Sequence, residues 1–533
     1  MALLPLVTAT ARWDEQAVLA RRISPSSFLL EKHAYLAQSA YTNAVFFDYN
    51  NDSLLDLLIV GRGGDWNIKA DVNILQLYRN LGAEAEYRLE KVTDTRLMPY
   101  TDEGYYNPVS VGDINHDGYS DLLMMTYHSG RHIDVYLNDN GTGHFIRQES
   151  LCFDGATNGS CMLGDIDGDG WLDIEYSGYS DQTATCLKLY HNRHDGTFHD
   201  CSQNNVTGAF QGGSALADIN GDGWLDIIAT GNGNNWVCLA TLYIAQGDGT
   251  FTSISENQCG ILGVSRATPL VADLNADGLM DIVLNGEPSD GSGFRTRIYY
   301  QRNDGTFMLD KSYPVIPVNQ DGGINMADAD ADGNMDLIVG GWTGSGAPAG
   351  CYSSPLRVYE NHPETIGMAG NTRPYAPTSV SAVISGDSII ISWTAGSDAE
   401  SSVEALRYNF FVRCDNTGET YTLIPADTET GRLHVGTDLQ TSLSSRSTHS
   451  TMRHFGEGQY TVGVQTLDQA YAPSTFKTVT VNGTNGIEAI HSPSATSSAP
   501  RYYRLSGQPC RPLHGLYIEQ TSQGYRKLIR ITQ

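Results

Sequence analysis

The sequence predicts an all-β protein: a six-bladed β-propeller of four-stranded blades, then a β-sandwich, then a short C-terminal β tail. Three observations carry this. A nine-residue aspartate pattern recurs six times, at intervals of 52–65 residues. Each copy lies between short apolar runs of strand length, with turn residues spaced regularly between them. The composition agrees: 56 of 533 residues are glycine and 29 are tyrosine, and the 40% hydrophobic content is enough to build cores.

The six copies begin at Asp48, Asp113, Asp165, Asp218, Asp273 and Asp328. Side-chain oxygens stand at positions one, three, five and nine of each. These are Asp48, Asn50, Asp52 and Asp56 in the first copy, and Asp113, Asn115, Asp117 and Asp121 in the second. The third has Asp165, Asp167, Asp169 and Asp173, and the fourth Asp218, Asn220, Asp222 and Asp226. The fifth has Asp273, Asn275, Asp277 and Asp281, and the sixth Asp328, Asp330, Asp332 and Asp336. Glycine holds position six in five copies; the first has Ser53. Calcium takes six to eight hard oxygen ligands from a flexible loop. Four side chains plus the carbonyl of position seven supply five of them. Turn formation alone explains one such cluster, but not six in register. The sequence therefore calls for up to six Ca2+ sites, with the Ser53 loop the weakest. Six ions would add 12 charges to the net −28 and leave −16.

The rest of each unit completes a blade. A short apolar run precedes each loop, as in Ser214–Ala217, and a continuous one follows, as in Leu225–Thr230. A third strand carries a recurring tyrosine: Tyr78, Tyr136, Tyr190, Tyr243, Tyr300 and Tyr359. A turn then leads to a fourth strand, as at Phe198, Phe251 and Phe307. Four antiparallel strands per roughly 50 residues is the pattern of propeller blades. The sixth unit stops near Asn361 with three strands. The N-terminal stretch Ser27–Lys32 matches Thr306–Lys311 of unit five and is expected to supply the missing strand. That closure leaves no sheet edge. A seventh blade from residues 1–26 is the alternative count.

These loops with their flanking strands resemble FG-GAP/VCBS repeats, the propeller family that includes the integrin α-subunit head, over residues 27–362. Integrin heads have seven blades and only some bind calcium. Here all six copies keep their acids, which leaves the blade count open between six and seven. The resemblance implies a calcium-stabilised module that binds extracellular ligands.

Residues 1–26 are then an N-terminal extension and 363–375 a linker. Residues 376–482 form a second all-β unit, with Trp393 on an early strand and Tyr460 on a late one, which suits a β-sandwich. It resembles a fibronectin type III domain, which implies a spacer. Residues 483–500 are a Ser/Ala/Thr-rich linker. Residues 501–533 are basic, with short strand patterns around Tyr502, Tyr517 and Leu528. They are similar to the C-terminal sorting tails of type IX secretion cargo. That resemblance implies export, with the tail cleaved or used for surface attachment. The opening Met1–Val7 has no positive start and too short an apolar core for a secretory signal. Either the start is incomplete or the chain is not exported; millimolar calcium outside cells favours export, to the medium or a bacterial surface.

The −28 charge excludes a basic footprint for nucleic acid. No run of 18 apolar residues is present, so no transmembrane helix is expected. Of nine cysteines, Cys186 with Cys201 and Cys238 with Cys259 are placed where disulfides could form; buried free thiols are the alternative. No catalytic residues are assigned: nucleophile elbow, phosphate loop and His-Glu-x-x-His are all absent. His128, His132, His191 and His194 read as solvated loop residues. The turns on the face opposite the aspartate loops carry Trp66, Trp236 and Trp342, and also Tyr127, Tyr179 and Phe294. Exposed aromatic rings in polar loops suit a glycan or an extracellular protein. The leading reading is thus a binding or adhesion module. The alternative is a polysaccharide-active lyase or glycosidase.

Overall fold

The computed structural model describes residues 13–17, 40–63, 72–82, 89–98, 109–127, 130–151, 153–181, 184–202, 206–311, 324–328, 332–339, 357–362, 370–386, 388–434, 439–453 and 458–483. In the C-terminal segment it describes strands 501–503, 509–510, 515–521 and 524–530. Residues 1–482 form one compact unit and 483–533 another.

Six antiparallel units follow one another, five of them four-stranded; in blade two a fifth short strand, Phe153–Asp154, also pairs with the third strand, Arg131–Asn138. Blade three shows the plan: strands Thr157–Gly164, Asp173–Tyr179, Cys186–Asn192 and Phe198–Asp200, paired in that order. The aspartate loop joins the first two strands. The second strand is buried on both faces; in blade four all seven residues of Asp226–Asn232 are buried. That is why it reads as a continuous apolar run rather than an alternation. The first strands of neighbouring blades lie against one another. Leu163 N–H donates to Ser110 Oγ at 3.1 Å, and Ser214 N–H to Ser160 Oγ at 2.8 Å.

Blade six has Ile324–Ala327, Asp336–Val339 and Arg357–Asn361. Its fourth strand does come from the N-terminus, but it is Trp13–Ala17, in register from Trp13 opposite Asn361 to Ala17 opposite Arg357. The expected Ser27–Lys32 stretch lies outside the described residues. The segment assigned as an N-terminal extension therefore supplies part of the last blade. The fifth recurring tyrosine also needs correction. Tyr299, opposite Ile282, holds the place of Tyr190 opposite Ile174, so Tyr300 is one residue out of register. In a strand that shift reverses the face.

Residues 380–483 build two sheets, of three and five strands, around one core of Ile389, Ile391, Trp393, Tyr408, Phe410, Tyr460 and Val462. They pack on the loop end of the propeller. Thr420 N–H donates to Asn51 O of loop one (3.2 Å), and the Tyr119 hydroxyl of loop two bonds Glu419. Ser447 Oγ donates to Asp165 of loop three (2.8 Å), and Arg446 Nε to Asp222 O of loop four (3.1 Å). Asp273 N–H of loop five donates to Gln469 O (2.9 Å). Asn371 links Gly333 O of loop six (3.1 Å) to Asp468 (2.8 Å). Leu439 and Tyr471 pack into the core of the later blades. The C-terminal unit is a four-stranded antiparallel sheet, which adds Pro509–Cys510 to the three strand patterns around Tyr502, Tyr517 and Leu528.

One side chain breaks the repeat inside the core. Two residues after the closing aspartate, five blades carry Leu58, Leu123, Ile228, Val283 and Ile338; blade three carries Glu175. It is fully buried and takes the hydroxyl of Ser214 at 2.8 Å, beside Ser160 and Ser177. Burial pushes its pKa up to about 8, against the lowering effect of Ser214. A raised folded-state pKa means a contribution to stability that is complete below about pH 4.5 and lost as the pH rises through about 8. Glu175→Leu is expected to stabilise the protein at pH 8 by roughly 1–3 kcal/mol. The gain should shrink toward pH 5. Thermal melts across that range test it, and a gain independent of pH would contradict the titration.

Candidate functional site

The six loops share one hydrogen-bonded frame, set by carboxylates that each hold backbone amides. In loop two, Asp113 Oδ1 accepts from Asp117 N–H (3.1 Å) and Oδ2 from Gly118 N–H (2.9 Å). Asp117 Oδ1 accepts from Tyr119 N–H (3.0 Å). The closing Asp121 is fully buried; its Oδ2 accepts from Ile114 N–H (2.9 Å) and its Oδ1 from Asn138 N–H (2.8 Å). Asp56, Asp173, Asp226 and Asp281 repeat both bonds, and Asp336 repeats the one to the third strand, at Asn361. The ninth position is thus a brace between loop and third strand as well as a potential ligand.

Position six has a left-handed backbone in every loop: Gly118 φ 88°, Gly170 90°, Gly223 89°, Gly278 77°, Gly333 96° and Ser53 65°. The first loop therefore keeps the shape despite its serine, with some strain. Of the expected ligands, Asp330 lies outside the described residues. Among the described residues, three acids of one loop come within 4.8 Å of one another in loop three, at Asp165, Asp167 and Asp169.

The amide at the end of the third strand was not foreseen. Asn138 Nδ2 donates to Tyr49 O of the preceding loop (2.8 Å), Asn192 to Ile114 O (3.0 Å), Gln301 to Ile219 O (3.1 Å) and Asn361 to Leu274 O (2.9 Å). Blade four has Ala245 there. The signal was available as Tyr-x-Asn, repeated one strand after four of the six loops.

The electrostatics call for a cation. Burial, then the charge of Asp52, pushes Asp48 up to about 7. Burial likewise lifts Asp165, Asp218 and Asp273 to about 6. Asp165 Oδ1 is buried and accepts no hydrogen bond. Oxygens of Asp165, Asp167 and Asp169 lie within 4.8 Å of one another. An all-oxygen donor set with unspent lone pairs fits a hard divalent ion such as calcium. Bound there, the ion would neutralise the carboxylates and cross-link the loop.

Three loops have a basic side chain against an expected ligand; in loop six His362 Nδ1 is 3.7 Å from Asp332 Oδ2. In loop one, Arg79 NH2 is 3.0 Å from Asp52 Oδ2, so a guanidinium already faces an expected ligand. In loop three, His191 is a strand residue and mostly buried, not a solvated loop residue; its Nδ1 is 3.0 Å from Asp167 Oδ2. His194 Nε2 is 2.5 Å from Asp169 Oδ2, and its ring stacks on Trp171, which stacks in turn on His116. Among the described residues Cys186, Cys201, Cys238 and Cys259 are free thiols, so neither expected disulfide forms.

On the opposite face Trp236 is 67% exposed, Val237 64% and Tyr127 42%. Trp236 meets Phe210 edge-on at 4.8 Å, and Phe210 meets Tyr179 at 6.0 Å. Arg131 lies over Tyr179 at 5.2 Å. Trp66 and Trp342 lie outside the described residues.

A family model for the FG-GAP-like repeat matches residues 48–124, 113–174, 176–229, 218–284 and 273–339, more than half of the chain. The chain belongs to the FG-GAP-like repeat family. No curated relative matches it. Solved structures similar to it include a fungal alcohol oxidase of the AA5 family in complex with copper (12% identity, 83% of this chain and 97% of that one, TM-score 0.39). Others are sucrose-6-phosphate hydrolase from Lactobacillus gasseri (10%, 97% and 97%, 0.29) and exo-β-1,3-galactanase from Phanerochaete chrysosporium (9%, 83% and 96%, 0.29). At these scores the likenesses carry nothing about activity. No helix among the described residues is long and apolar enough to cross a membrane.

Two predictions follow from the FG-GAP-like loops. For the chelated protein, aspartates with folded pKa values of about 6 to 7 favour folding at low pH. Its melting temperature is expected to fall as the pH rises from about 4 to about 7. Calcium in place of the protons reverses that slope and adds about 2.7 kcal/mol per site at a hundredfold excess over Kd. Identical melting curves with EDTA and with calcium would refute the loops as metal sites. Separately, Arg79→Met is expected to tighten calcium binding at loop one, read by titration calorimetry as an added or strengthened binding step.

Proposed function

We propose that this is a secreted or cell-surface, calcium-binding FG-GAP-like propeller protein that acts as a binding or adhesion module for glycans or extracellular proteins. The observation that carries the reading is the division of labour between the two propeller faces. The sandwich meets loops one to five, and linker residue Asn371 joins loop six to it, so the loop face is covered. The opposite face presents Trp236, which keeps a left-handed backbone, φ 60°, while exposing its ring. A bulky residue rarely adopts that conformation, and such strain clusters at functional sites. Trp236, seated edge-on against the buried Phe210, and the half-buried Tyr179 give flat apolar faces, with Gln211 and Asn234 beside them to meet hydroxyls.

Calcium in this reading is structural, bound by the aspartate and asparagine side chains at positions one, three, five and nine of each loop. The two-sheet core around Trp393 supports a fibronectin III-like spacer for residues 376–482. The basic four-stranded C-terminal unit supports a type IX-like sorting tail, hence export and surface attachment. The propeller then spans 27–362 together with the Trp13–Ala17 strand, with linkers at 363–375 and 483–500.

A second reading, a polysaccharide-active enzyme, is favoured by one feature. A cleft of about 570 Å3 between blades three and four is lined by Asp167, His191, His199, Asp200, Trp224 and Asp248. Carboxylates beside an aromatic platform are the equipment of glycoside chemistry.

A panel of polysaccharides and matrix proteins, in calcium, separates the two by scoring retention and new sugar ends together. Retention without new ends is expected. Trp236→Ala is expected to weaken retention by about tenfold or more, equivalent to roughly 1.4 kcal/mol, at unchanged melting temperature. Undiminished retention with a lowered melting temperature would make Trp236 a packing residue.

A further inference from the structure

The residue that follows the third-strand tyrosine is Arg79, Leu137, His191, Ile244, Tyr300 (one place after Tyr299) and Glu360 in blades one to six. In blade one it places a guanidinium against its own loop. In blade three it places an imidazole there. His191 Nδ1 is 3.0 Å from Asp167 Oδ2 and 3.7 Å from Asp173 Oδ2. One donor atom from each of these three residues lies within 4.8 Å of the others. This is the only such group among the described residues to include a nitrogen donor.

Two features favour an ion at this place. In the adjoining carboxylate group, which shares Asp167, the buried Asp165 Oδ1 has no hydrogen-bond partner. Asp167 and His191 also line the open cleft of about 570 Å3, so an ion held between them would be reachable from it.

Ligand chemistry selects the ion. Calcium is served by hard oxygens and gains little from an imidazole. Zinc binds histidine nitrogen and aspartate oxygen at roughly 2.0–2.2 Å, and its open sites use three protein ligands with a fourth position left to water. We propose that blade three holds a zinc ion on Asp167, Asp173 and His191, open to the cleft, where the other loops take calcium. The competing account is a plain hydrogen bond between His191 and Asp167.

The inference rests on the loop reading only for blade three, and the test keeps the two apart. Full-length protein is equilibrated with micromolar zinc in millimolar calcium, freed of unbound metal by gel filtration, and both metals are counted. The expected result is one zinc per chain in the wild type, and none in His191→Ala with its calcium retained. Calcium retained by a wild type that holds no zinc overturns this inference alone; no metal of either kind overturns the calcium reading as well. Zinc retained by His191→Ala also overturns it. Should that variant fold poorly, the wild type loaded with cobalt decides: d–d bands of a low-coordinate site that zinc displaces are expected. An octahedral spectrum that calcium displaces would sink the assignment.

Discussion

A buried carboxylate closes every loop, and the organisation of the propeller depends on how its charge is met. Asp121 and its counterparts sit at the base of each loop with amides from the loop start and from the third strand on their oxygens. Those bonds tie together segments that the chain order keeps apart. They do not neutralise the charge. Three or four carboxylates per loop stand close in sequence, and burial lifts the proton affinities of those at the first and ninth positions, as at Asp48, Asp121 and Asp173. Protons meet the demand at low pH, and in the proposed reading a divalent ion would meet it near neutrality. Stability would then be conditional on what occupies the loops.

The same loops also hold the second domain in place. Ser447 donates to Asp165 itself, and Thr420, Glu419, Arg446 and Gln469 reach the neighbouring loops. The bonds accept or donate at loop atoms whose positions a bound ion would stiffen. Loop order and domain docking are therefore coupled. One face of the propeller is spent on this junction, which leaves the turns on the other face, and the cleft at the blade three–four edge, as the surfaces open to a ligand.

Much of this was legible in the sequence because it repeats. Period, loop chemistry and strand count per blade all survive averaging over six copies. What was missed depends on single-residue register or on direction. Tyr299 and Tyr300 are adjacent tyrosines, and only the pairing with Ile282 tells which one lies in the repeat position. The closing strand was sought at Ser27–Lys32, and Trp13–Ala17, which holds the place, lacks the phenylalanine used as a guide. His191 was taken for a loop residue because its strand ends in a polar run, His-Asn-Arg-His. The sandwich's choice of the loop face has no local signature, since it arises from scattered contacts such as Ser447 and Asn371.

Sixfold repetition also gives the molecule an internal reference. A glutamate in a buried strand is ordinary evidence of little; Glu175 against five aliphatic residues at the same place marks blade three as different. His191 in the same blade stands at a position that varies from blade to blade, and there it sets an imidazole 3.0 Å from a loop carboxylate. A buried polar residue costs stability wherever an aliphatic one would pack. Both residues fall in one blade, and that blade forms one wall of the described cleft. A propeller that only needed to be stable would have no use for them there. Blade three is therefore where a specialised role is most economically placed, and the remaining blades serve as the frame that holds it.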